Sequence, residues 1–256
     1  MNIFLSLEVE NVERIISITV IGFLTGILGT GMGGLSAYIF KNPSNRWSSM
    51  ILGFSGGLMI SVVCFDLLPE AFTMVGLFIG ILGIILGVMV ISLIDEMISR
   101  IEWKYKKNRN GFVRTGILIG IGILIHNFPE GLAVGSGYMA TSELGLGLAL
   151  IIAIHDIPEG ISMATPLSIG GIKSWKILLY TIIAGIPTGI GAFIGAVLGE
   201  ISTLFIGLCL GFAGGAMLFI TCQEIIPKSR EIYKGRISGF GIIFGIIIGI
   251  LASSLV

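Results

Sequence analysis

GFSGGLMISVVCFDLLPEA occupies residues 53–71, and GFAGGAMLFITCQEIIPKS occupies residues 211–229. Aligned without gaps, Gly, Phe, Gly, Gly, Met, Cys and Pro coincide, and Asp66 falls opposite Glu224. Similarity of this kind marks an internal repeat. A weaker echo joins GFLTGIL (22–28) to GIPTGIG (185–191). The repeated segments belong to a chain of 256 residues that is 54% hydrophobic and 12% charged, with a mean hydropathy of +1.03. Soluble domains carry about twice that charge fraction. Uninterrupted runs such as LGLGLALIIAI (144–154) and GFGIIFGIIIGILASSLV (239–256) indicate an all-α integral membrane protein whose first partner is the lipid bilayer.

The 39 glycines sit within the apolar runs, which suits close helix packing in lipid rather than flexible linkers. Faces such as GILGTGMGG (26–34) can pack within one chain or between two copies in a homodimer. A formal net charge of zero leaves no nucleic-acid footprint. Cys64, Cys209 and Cys222 lack CxxC spacing and read as small buried residues. The N-terminal MNIFLSLEVENVER has acids where a signal peptide needs a basic region, so no cleavable signal is expected.

With about 20 apolar residues per crossing, charges and turn residues divide the chain into eight transmembrane helices. Their expected positions are roughly 15–38, 50–69, 75–94, 112–136, 144–168, 175–198, 203–226 and 236–256. Very short turns make hairpins of spans two and three, four and five, and six and seven. Basic residues cluster in alternate loops: Lys41 and Arg46, the group from Arg100 to Arg114, Lys173 and Lys176, and the group from Lys228 to Arg236. Only Arg14 of the 15 Lys and Arg falls on the other side. The positive-inside rule then puts both termini outside (extracellular or periplasmic) and the longest loop, about 95–111, in the cytoplasm of a multi-pass protein of the plasma or inner membrane. The whole of 1–256 reads as one transmembrane transporter domain. Spans 1–3 (about 15–94) repeat as spans 6–8 (about 175–256) around a central span 4–5 hairpin (about 112–168). Repeat partners five spans apart run in opposite directions, an inverted repeat typical of secondary transporters with a midplane site.

That central hairpin carries HNFPEG (126–131) and HDIPEG (155–160), which contain the only two histidines of the chain. His126 and Glu130 are four residues apart on one helix face, as are His155 and Glu159. Asn127 and Asp156 lie one step round. Pro129 and Pro158 cannot donate to the Ile125 and Ile154 carbonyls, which frees an acceptor beside each histidine. An unpaired charged acid at the midplane costs about 2.5 kcal/mol or more. Neither helix offers Lys or Arg near that depth. A divalent cation bound by His126, Glu130, His155 and Glu159 would offset the cost. Mixed N/O ligands suit Zn²⁺ and also Fe²⁺, Mn²⁺, Co²⁺, Ni²⁺ or Cd²⁺. Purely structural polar glue and a proton relay through the same groups are the competing readings.

These motifs, together with GGLMISVVCFDLLPEA on span two, resemble the ZIP (Zrt-, Irt-like) divalent metal transporters of the small bacterial kind, over essentially the whole chain. The resemblance implies uptake of zinc or a related metal into the cytoplasm, with spans 1, 4, 5 and 6 moving against 2, 3, 7 and 8. It also implies that Met59 is an additional ligand of the primary site, a role that competes with core packing. Asn127, Asp156, Glu130 and Glu159 would form a second, adjacent site. Many members carry a glutamate just before the span-six proline, where this chain has Ile186-Pro187. One strong site with a weaker neighbour is therefore expected.

Met59, Val63, Asp66 and Glu70 share one face of span two, and Met217, Thr221, Glu224 and Lys228 repeat that spacing in span seven. Asp66 and Glu70 near the outer end and Glu224 near the inner end would be acidic way-stations on a metal path, or ordinary helix-end charges. The alternative function is a proton or other cation carrier using the same acids. An enzyme is not expected: HExxH is absent, and no general base is left beyond the ligands. No prosthetic group is expected, and the metal ion is cargo.

Overall fold

The computed structural model describes residues 2–39, 44–104 and 111–254, with the side chains of 2–10, 39, 95, 97–104, 111, 114, 115 and 126 outside the described set. Among the described residues the chain is helical, without strands. In hydrocarbon every backbone N–H and C=O must be satisfied within its own segment, so apolar runs of this length become helices. They are α1 (Asn2–Ile39), α2 (Asn45–Val62), α3 (Leu68–Lys104), α4 (Gly111–Ala140), α5 (Ser142–Ile169), α6 (Ser174–Ile201), α7 (Thr203–Ile220), α8 (Ile226–Ile232) and α9 (Ile237–Ser253). One π-helical turn, Val63–Leu67, links α2 to α3, and a second, Thr221–Ile225, links α7 to α8.

Single residues reverse the chain at one end of the bundle. Thr141 (φ −145°, ψ 152°) caps α5 by accepting from the Leu144 N–H at 3.1 Å. Ser202 is likewise extended (φ −168°, ψ 156°) between α6 and α7. Within α3 the break is at Gly76 (φ 75°, ψ 166°), a left-handed conformation that favours glycine because a Cβ would crowd the following carbonyl.

Six helical stretches among the described residues are long and apolar enough to cross a bilayer, and a shorter apolar helix, Ile237–Ser253, follows them. Eight spans are expected from the sequence. The difference lies in Asn45–Ile94, a single helical stretch of 50 residues, and in the shortness of α9. The segment expected as a loop from 95 is helical to Lys104, and the rest of that loop, 105–110, lies outside the described residues.

Packing groups the helices into a central four and two flanking pairs. α1 packs on α5 and α6, and α4 packs on α5 and α6. α2 pairs with α9, and α3 pairs with α7. Small residues set these distances. At Gly160 of α5 an added Cβ would lie 2.2 Å from the Thr30 carbonyl oxygen of α1, an atom that cannot retreat without separating the helices. Gly160→Ala is therefore expected to cost about 1–3 kcal/mol and to lower the unfolding temperature in detergent by several degrees. Gly239 has nothing within 4 Å of its Cβ position. Gly239→Ala, which relieves glycine's helix penalty of up to about 1 kcal/mol, should leave that temperature unchanged or raise it.

Candidate metal centre

α4 and α5 run antiparallel, so residues near 130 on one meet residues near 155 on the other; Gly120 opposes Met163 and Gly137 opposes Leu148 on either side of that level. Both helices continue through their prolines. The register brings Glu130, His155 and Glu159 together. His155 Nε2 lies 3.1 Å from Glu130 Oε1 and 3.1 Å from Glu159 Oε1. Asp156 joins them: one ligand atom each of Glu130, His155 and Asp156 fall within 4.8 Å of one another. Glu130 and Asp156 are wholly buried, and His155 and Glu159 are 2% exposed. A ring nitrogen that close to two carboxylate oxygens requires something shared between them, either a proton, on Nε2 or on a carboxyl, or a metal ion.

The other ring nitrogen settles how His155 is held. Its Nδ1 is 2.8 Å from Ser55 Oγ, a wholly buried hydroxyl on α2. If Nδ1 carries the proton and donates to Ser55, the Nε2 lone pair is turned toward Glu130 and Glu159, the tautomer a metal ligand needs.

Asn127 and Asp156, one residue round from the histidines, face opposite walls. Asn127 Nδ2 donates to the Ala184 carbonyl of α6 at 2.8 Å, which leaves its Oδ1 without a hydrogen bond. Asp156 lies against α1, where a Cβ at Gly29 would be 2.5 Å from the Asp156 Cβ and 3.1 Å from Oδ2. Apart from the His155 Nε2 contact at Glu130 Oε1, no Asp156 or Glu130 carboxylate oxygen has a hydrogen-bond partner among the described residues. Buried acceptors left in this state are rare and call for an ion or a proton. Three carboxylates and one imidazole form a mixed N/O donor set suited to a borderline divalent cation.

Not every expected residue converges on this cluster. His126 stands on α4 one turn before Glu130, and its side chain lies outside the described residues. Met59 is buried, and its sulfur accepts a hydrogen bond from the Thr221 hydroxyl at 3.0 Å. It shares a face of α2 with Ser55, one turn away. Ile186 is exposed on the outside of α6, so that position does not open onto the cluster; the α6 group facing Asn127 is the Ala184 carbonyl. Asp66 accepts from Ser253 Oγ at 2.5 Å, near the end of α9. Glu70 is half-buried. Glu224 is half-buried as well and lines a cavity of about 30 Å³ together with Glu159, Ser162 and Lys228. A second cavity of about 270 Å³ shares Ser162 and Lys228 and reaches Asn45 at the start of α2 and Ile169 at the end of α5.

A sequence model of a known family matches residues 107–253, more than half of the chain, and its description is ZIP zinc transporter. The chain belongs to the ZIP family. Among its relatives, the zinc transporter ZupT of Streptococcus mutans is 30% identical over 239 residues, 86% of this chain and 90% of that protein. ZupT of Stenotrophomonas maltophilia is 31% identical over 265 residues, 96% of each chain. A plant relative, the zinc transporter ZTP29 of Arabidopsis thaliana, is 31% identical over 234 residues, 83% of this chain and 84% of its own.

Two groups in this ZIP chain escape sequence reasoning. Ser55 has only one signal, its position four residues before Met59 on the same face. Gly29 has none, because its role is to be absent where Asp156 stands. Ser55→Ala is expected to weaken cation binding about 10- to 100-fold, the usual effect of losing a partner that orients a ligating imidazole. Titration of the detergent-solubilised protein with Cd²⁺ or Zn²⁺ measures this, and an unchanged affinity would remove Ser55 from the centre.

Proposed function

We propose that this chain carries divalent transition-metal cations across the bilayer into the cytoplasm, zinc foremost, by alternating access through the α4–α5 centre. The observation that carries this reading is the convergence of two buried carboxylates on His155 Nε2 at 3.1 Å, with the wholly buried Asp156 beside them. Between residues 115 and 172 the sequence has no Lys or Arg, so neither central helix supplies its own counter-charge. Membership of a family with zinc-transporting relatives supports the same reading. Fe²⁺, Mn²⁺, Co²⁺ and Cd²⁺ fit the same donors.

His126, Glu130, His155 and Glu159 form the primary site in this reading. The i, i+4 spacing that puts Glu159 against His155 puts His126 on the face of Glu130. Asn127 and Asp156 form a weaker neighbour toward α6 and α1. Met59 contributes its thioether only by exchanging its Thr221 hydrogen bond for the metal.

The proposed architecture is eight crossings. At 1.5 Å per residue a straight 50-residue helix would reach about 75 Å, over twice the 30 Å hydrocarbon core. Asn45–Ile94 is accordingly read as two spans that turn at Gly76, and α9 as the eighth. An inverted repeat is supported by the two π-helical turns, which stand 158 positions apart like the repeated sequences that contain them. It is supported again around the hexapeptides. Gly160 meets the Thr30 carbonyl and Gly131 meets the Thr188 carbonyl, so TGMGG (30–34) pairs with TGIGA (188–192) at the same offset. That register replaces the GFLTGIL–GIPTGIG alignment.

The basic loops assign the starts of α2, α4 and α6 to the cytoplasm. The two cavities then form an inner vestibule below Glu159, while at the outer end Asp66 is tied to Ser253. This is an inward-facing arrangement: a cation released by Glu159 has space on the cytoplasmic side.

Vesicles containing the purified protein should take up Zn²⁺ and Cd²⁺ from outside. Glu130→Ala and His155→Ala should each reduce uptake to the level of empty vesicles. Movement of protons or alkali ions with no flux of any divalent metal would favour the alternative carrier and sink the metal reading. Metal counting on the solubilised protein should give about one tightly held ion per chain, the outcome expected when four strong donors saturate one cation. Two equally tight ions would contradict a weakened neighbour site.

A further inference from the structure

Lys228 is out of character for a cation path. Glu159, Ser162, Glu224 and Lys228 line the small cavity below the metal centre. Lys228 also lines the larger cavity, where it is the only charged residue among the described residues forming the wall. With Ser162, Leu52 and Ile119 it therefore borders both cavities, the small one beside Glu159 and the larger one. In sequence it follows Glu224 by four residues, across the boundary between the second π-helical turn and α8. The repeat sharpens the anomaly: the residues matching Glu224 and Lys228 are Asp66 and Glu70. The outer end presents two acids where the inner end presents an acid and an amine.

A divalent cation stepping off Glu159 meets the Glu224 carboxylate next, with the Ser162 hydroxyl nearby and space of about 30 Å³, roughly one water. Two carboxylates around so small a space would make a cation trap at the exit. Lys is suited to prevent this: its ammonium is a compact charge on a flexible stem that can approach one carboxylate and withdraw into the larger cavity.

We propose that Lys228 is a tethered cation: it neutralises Glu224 between transport events and yields to the passing metal, so that the inner mouth releases ions rather than storing them. The proposal rests on the transport reading above. It makes Lys228 a residue that sets release rate, without touching the ion at the α4–α5 centre.

The test counts Cd²⁺ bound to the full-length protein in detergent and follows its release into chelator. Wild type should hold about one ion. Lys228→Met should hold one more and release it about tenfold more slowly, the order expected when one opposing charge leaves a partly buried site. Lys228→Arg should behave as wild type, and Lys228→Met combined with Glu224→Gln should return to one ion. Lys228→Gln serves the same purpose if the Met variant does not fold. If either neutral variant holds one ion with unchanged release, the proposal is overturned while the transport reading stands. A lower unfolding temperature with an unchanged metal count overturns it in the same way, because Lys228 would then be only a helix-end cation. A wild type that binds no divalent ion overturns both readings.

Discussion

Burying Glu130, Asp156 and Glu159 beside one imidazole is the constraint around which the rest of the molecule is arranged. In a low-dielectric interior an uncompensated carboxylate is among the most costly groups a fold can carry, and the sequence around these three contains no Lys or Arg. Neither central helix supplies the compensating charge, so it has to come from another helix, a bound cation or a proton. In the proposed function such a site would bind because the empty state is electrostatically unfavourable. Its remaining polar contacts serve geometry: Ser55 fixes His155 from α2, and the Ala184 carbonyl fixes Asn127 from α6.

Close backbone approach makes that geometry attainable. Asp156 reaches its position because α1 presents Gly29 there, and the prolines of the two hexapeptides free carbonyls at the same depth. Glycine packing and acid burial are thus coupled. Larger residues on α1 or α6 would push those helices away, and the acids would be left in an open cavity, where water rather than metal could satisfy them.

The flanking pairs contribute asymmetry. Each π-helical turn holds one acid in its fourth position, Asp66 in the first and Glu224 in the second. A π turn inserts one residue into the helical register and so re-aims the side chains around it. One of these acids is bonded to the end of α9, and the other borders space beneath the metal centre. The two acids, in matching positions of the repeated sequences, thus have different surroundings in one conformation.

Much of this was legible in the sequence because it concerns order within one helix. Hydropathy placed helices over the expected apolar runs, although α1 starts as early as Asn2, α3 continues to Lys104 and Asn45–Ile94 is one helical stretch; single-residue turns stand at two of the three expected hairpins. The i, i+4 rule placed Glu159 against His155 without any knowledge of the neighbours. Contacts between helices were beyond that reach. Only the tertiary structure decided that Ser55 holds His155, that Met59 is engaged by Thr221, and that Ile186 lies on the outside of α6. It also decided that Lys228 borders the same small cavity as Glu159 and Glu224. The physical reason is that periodicity specifies a face but not its partner. In lipid, where apolar faces are alike to one another, the partner is chosen by shape: by which small residues let two backbones approach and which side chains that approach then traps.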